Sequence, residues 1–92
     1  MSDPEVYSKA QSLFELGETL GYIIRNGLAK PETVYDLGGW GMLQIWERFS
    51  RYVYYRRELP STTGRGYMSN FEYLAQEMKR ISDSRKPIPQ SA

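Results

Sequence analysis

Apolar and small residues recur in steps of three and four at the start of the chain: Val6, Ala10, Leu13, Gly17, Leu20, Ile24 and Leu28. That spacing keeps to one face of a 3.6-residue helix. Ser2-Asp3-Pro4-Glu5 opens the run, with Ser2 and Glu5 at capping-box spacing and Pro4 suited to a first turn. Asn26-Gly27 closes it with a residue pair that accepts the left-handed conformation of a helix end. The pattern predicts a helix near 4–27. Gly17 and Gly21 stand on or beside its apolar face. Each costs about 1 kcal/mol against alanine, so they predict the close approach of another helix backbone.

A second run starts at Pro31-Glu32 and predicts a longer helix, near 31–57. Its core stripe reads Val34, Leu37, Gly38, Gly41, Met42, Ile45, Phe49 and Val53 or Tyr52, with Trp40, Leu43 and Trp46 as a second apolar line beside it. One neighbouring helix does not cover a surface that wide. Gly38, Gly39 and Gly41 fit either a kink or tight packing against Gly17 and Gly21, and packing is the simpler account. Residues 59–66 read as a loop, and they lack the Gly-Lys-Ser/Thr signature of a phosphate-binding turn. Ser69 and Glu72 form a second capping box and predict a third helix near 68–82, with Phe71, Leu74, Ala75, Met78 and Ile81 buried. No strand or internal repeat is visible. The expected fold is all-α: a small antiparallel three-helix bundle over 1–82, with a long central second helix and a flexible C-terminal tail over 83–92.

Composition narrows the chemistry. Cysteine and histidine are both absent from the 92 residues. Disulfides, thiolate nucleophiles, histidine bases and most transition-metal sites go with them. No apolar run approaches the roughly 20 residues of a membrane span. The N-terminus shows neither the basic nor the apolar region of a secretory signal, so a cytoplasmic location without membrane contact is expected. Glu15 and Glu18, and Glu32 and Asp36, have the spacing of carboxylate pairs on helix faces. Di-iron bundle sites need Glu-x-x-His, so these acids read as solvated charges, and Asp36 as a partner for an arginine across the helix interface.

Charge is uneven along the chain. Residues 1–46 carry a net −3 and residues 47–92 a net +4. Tyrosine supplies 8 of the aromatic residues, and the densest stretch is Trp46-Glu-Arg48-Phe-Ser-Arg51-Tyr52-Val-Tyr54-Tyr55-Arg56-Arg57. On a helix, Arg48, Arg51 and Tyr55 share one side with Tyr52 beside them. Arginine forks bind phosphate or carboxylate, and tyrosines stack on bases or fill partner pockets. A plainer role is open too, with tyrosines at the core edge and arginines paired to Asp36, Glu15 or Glu18. Of the two tryptophans, Trp46 is expected at the core edge and Trp40 at an interface.

Three blocks carry a resemblance: Phe14-Glu-Leu-Gly17 with Gly27-Leu28; Glu32-Thr-Val-Tyr-Asp-Leu37 leading into Ile45-Trp46-Glu47; and Arg56-Arg57, Tyr67 and Asn70-Phe-Glu-Tyr-Leu-Ala75. Together they are similar to a family of short prokaryotic helical proteins that forms a domain of unknown function. The similarity spans most of residues 14–75. It implies a helical fold and no particular activity.

The sequence therefore leads to an expectation of a non-enzymatic helical interaction or assembly module, without cofactor or metal. It would self-associate, as a homo-oligomer, or dock on a larger protein. The alternative is a nucleic-acid-binding accessory protein. The partner-binding residues expected are Trp40, Arg48, Arg51, Tyr52, Tyr55, Arg56, Arg57 and Arg65.

Overall fold

The computed structural model describes residues 4–59 and 66–85, with side chains from Lys9 onward. The protein is an all-helical three-helix bundle, with no strand among the described residues. Helix α1 spans Pro4–Arg25. The second helix of the bundle comes in two pieces, α2 (Pro31–Val34) and α3 (Trp40–Glu58), joined by a wide π-type turn over Tyr35–Gly39. Helix α4 spans Ser69–Arg85. None of these helices is long and apolar enough to cross a membrane.

Helix α1 ends as its sequence predicts. Gly27 takes a φ of 73°. The Leu28 N–H then donates to the Ile23 carbonyl at 2.9 Å, and the Gly27 N–H to Ile24 at 3.1 Å. These two bonds satisfy carbonyls that the helix end leaves open. The buried face is rotated from the expected stripe: Phe14, Gly17, Gly21 and Ile24 are buried, and Leu13 is exposed. An aromatic ring removes more apolar area than a leucine. Phe14 uses it against Phe49, Phe71 and Tyr52, with ring centroids 5.7, 5.8 and 6.0 Å away.

Gly17 and Gly21 do admit a neighbouring backbone, but it is that of α4, not the glycines of the second helix. A Cβ on Gly21 would lie 1.8 Å from the Asn70 carbonyl oxygen, and one on Gly17 would meet the Phe71 ring. This contact lets Glu18 reach the start of α4. Its carboxylate accepts the Asn70 N–H at 3.1 Å, the Phe71 N–H at 3.0 Å and the Asn70 side-chain amide at 3.0 Å. A carboxylate at open N–H groups is favoured by hydrogen bonding and by the helix dipole. Glu18, read as a solvated charge, is thus a cap supplied from another helix. Glu72, expected in a capping box with Ser69, turns instead to α3. The Ser2 end of the first capping box lies outside the described residues.

The second helix is not continuous over 31–57. Gly38 takes a φ of 109°, a region open to glycine and costly for other residues, and the chain changes direction there. Gly38 therefore makes a break rather than a packing surface. Beyond it, α3 buries Met42, Trp46 and Val53. Helices α3 and α4 run antiparallel: Gly39 lies beside Met78 at one end, and Arg57 reaches the Tyr67 carbonyl at the other. Helix α4 packs against both α1 and α3 and buries all five residues of its predicted stripe. It also continues past the expected end at 82 as far as Arg85, where Ser84 donates its hydroxyl to the Ile81 carbonyl. Residues 86–92, within the tail expected over 83–92, lie outside the described residues.

Candidate interaction surfaces

The Arg/Tyr-rich end of α3 lies against the start of α4. Arg57 is largely enclosed, its side chain 14% exposed. Its Nε donates to the Tyr67 carbonyl at 2.9 Å, and its Nη1 pairs with Glu72 at 2.9 Å. Its guanidinium also lies 5.4 Å from the Tyr54 ring centre, and the Tyr54 hydroxyl donates to the other Glu72 oxygen at 3.1 Å. Arg56 stands 4.9 Å from the Tyr67 ring centre and 5.7 Å from that of Tyr52, and donates to the Tyr52 hydroxyl at 2.9 Å. Charge-assisted bonds of this kind, partly removed from water, are stronger than neutral ones. Burial pushes the Tyr67 phenol pKa up. Burial, and then the hydrogen bond to Glu72, do the same for Tyr54. This cluster clamps two helices together.

The expected partner-binding residues therefore separate. Tyr52, Arg56 and Arg57 are half-buried and engaged inside the fold. Arg48, Arg51 and Tyr55 are exposed on one stripe of α3. Arg48 lies 5.9 Å from the Phe49 ring centre. Arg51 makes no ion pair among the described residues. Arg65 lies outside the described residues. Trp40 is half exposed, and Trp46 is buried with its ring centroid 5.1 Å from that of Phe71.

The other surface is at the break in the second helix. Leu37, read from the sequence as core, is 83% exposed. The turn at Gly38 carries it out of the stripe that a continuous helix would bury. Beside it lies a cavity of about 220 Å³, lined by Leu16 and Leu20 of α1, Val34, Leu37, Gly38 and Gly39 of the turn region, and Met42 of α3. Leu13 and Leu16 are exposed on α1, so the cavity opens onto further apolar surface. The nearby acids are already engaged. Glu32 pairs with Arg80 at 3.4 Å, and that charge, with a backbone hydrogen bond as the first cause, lowers its pKa. Asp36 pairs with Arg85, the arginine across the interface that its position suggested. Arg85 also lies 5.0 Å from the Tyr35 ring centre. The signal that could have found this surface is the glycine cluster Gly38, Gly39 and Gly41, because a break there turns core positions outward; the packing reading of those glycines concealed it.

Among the described residues, no three acidic, histidine or cysteine side chains converge to hold a metal ion. Exposed apolar side chains around a groove can bind another apolar surface, and exposed arginines can bind an anion. No family model matches the chain, and neither does any curated protein or solved structure.

Proposed function

We propose that the protein is a non-enzymatic interaction or assembly module, which self-associates or docks on a larger protein through the apolar groove beside Leu37. The observation that carries this is the exposure of Leu37 at the mouth of a cavity lined almost wholly by aliphatic side chains. Large exposed apolar residues gathered in one place mark interaction sites more often than scattered ones do. Leu13, Leu16 and Trp40 extend the exposed apolar set. The charges flanking the groove pair within the fold, so a neutral, apolar partner surface fits it. A second copy of the chain is the first partner to test. Sedimentation across the micromolar range should show a species larger than the monomer, reduced to monomer by Leu37→Asp or Leu16→Asp. A wild-type chain that stays monomeric throughout rejects self-association, and docking on a larger protein then remains to be tested by capture with the same variants as controls.

Nucleic acid is the second reading, favoured by Arg48, Arg51 and Tyr55 on one exposed stripe. Such binding should weaken steeply with salt, because neutralised phosphates release counterions. Retained binding by an Arg48→Glu/Arg51→Glu variant would exclude it.

A further inference from the structure

We infer that Leu28–Leu37 is a hinged lid that gates the apolar groove, held closed by two exposed ion pairs to α4. This rests on the docking role just proposed, and names how the same site is regulated. The segment is bracketed by two glycines at positive φ, Gly27 at 73° and Gly38 at 109°. No side chain or backbone from elsewhere in the fold lies within 4 Å of where a Cβ would stand on either glycine, so no packing blocks a turn at these positions. Between them, Val34 is the one buried side chain, whereas α4 buries five. Leu28 and Leu37, at the two ends, are the most exposed large hydrophobic residues described. The helical part of the segment, α2, is a single turn, too short to be stable by itself.

Besides the packing of Val34, Ala29 and Tyr35 on the core, two polar contacts fasten it. Arg80, which also pairs with Glu77 of its own helix, holds Glu32, and Arg85 holds Asp36 while lying against the Tyr35 ring. All four charged side chains of these pairs are about half exposed, so each contact is weak and sensitive to salt. Val34, Leu37 and Gly38 form one wall of the groove. Moving the segment about Gly27 and Gly38 widens the groove while leaving α1, α3 and α4 packed.

The test is residue-resolved amide hydrogen exchange on the full chain. The Val34 N–H donates to the Lys30 carbonyl, and the Tyr35 N–H to Glu32 and Pro31, so both report opening of the lid. They should exchange at least about tenfold faster than the amides of Leu74 and Met78, which open only with the core. Glu32→Gln and Asp36→Asn should each speed them a further two- to five-fold or so, leaving Leu74 and Met78 unchanged. Exchange of Val34 and Tyr35 at the core rate, or indifference to both substitutions, would overturn the lid. Sedimentation of the Leu37→Asp variant reads the docking face separately, so either idea can fail alone.

Discussion

The two ends of the broken second helix behave opposite to what their composition suggests. At the C-terminal end, Tyr52, Tyr54, Arg56 and Arg57 form the most polar-aromatic stretch of the sequence, and most of it is spent inside the fold. At the N-terminal end, Leu37 and Trp40 belong to an ordinary apolar run, and they stand in solvent. Which end faces outward is decided by neighbours. Glu72 and the Tyr67 carbonyl draw the arginines in, and the φ of Gly38 turns Leu37 out. A conspicuous charge cluster is therefore a poor guide to a binding surface until its partners are known.

Four substitutions and one titration sharpen that contrast. The largest effect should come from Arg57→Ala. It leaves Glu72 without its cation and the Tyr67 carbonyl without a donor, in a pair whose side chains are 14% and 27% exposed. A fully buried pair broken this way costs about 3–5 kcal/mol, so the partial exposure here points to about 2 kcal/mol in denaturant unfolding. Next comes Gly38→Ala. A Cβ in the left-handed region costs about 1–2 kcal/mol, and the change should also loosen residues 31–39. An unchanged midpoint would mean that the break tolerates a side chain and does not depend on glycine.

Alkaline titration probes the clamp by a different route. The folded pKa of both Tyr54 and Tyr67 lies above the ordinary 10.0. The neutral phenol is thus favoured by folding. That contribution is complete below pH 10 and is lost as pH rises through the raised folded values. Stability should fall in that window, and Tyr54→Phe together with Tyr67→Phe should flatten the fall. At the small end, Arg51→Ala and Leu37→Ser should each change stability by no more than about 0.5 kcal/mol, as expected for exposed positions. A large loss from Leu37→Ser would show that its side chain is covered after all.

The buried face of helix α4 was legible in the sequence, since all five residues of its periodic stripe are buried, but its end at Arg85 and the turn of Glu72 toward α3 were not. Helix α1 was legible in extent and in its Asn26-Gly27 end, but its face was displaced. Leu13 and Phe14 both satisfy helical spacing, and only the surrounding rings of Phe49, Tyr52 and Phe71 decide between them. The break at Gly38 was hidden for a related reason. Three glycines near one another permit both a kink and close packing, and choosing requires knowing that Gly17 and Gly21 are taken by Phe71 and Asn70. Long-range polar contacts were the least legible. Glu18 caps a helix some fifty residues away, across |i−j| = 52 and 53, and nothing local to either segment announces it. Of the candidate surface, Trp40 was recognised as exposed. Leu20 and Leu37 were read as core, and Leu16 was not singled out.

One sedimentation-velocity series, comparing wild type with Leu37→Asp and Arg48→Glu/Arg51→Glu at matched micromolar concentrations, puts the apolar end directly against the basic one. A concentration-dependent assembly that Leu37→Asp abolishes and the arginine variant retains is the predicted result. Assembly that survives Leu37→Asp and disappears with the two arginines would contradict it and move the binding surface to the exposed stripe of α3.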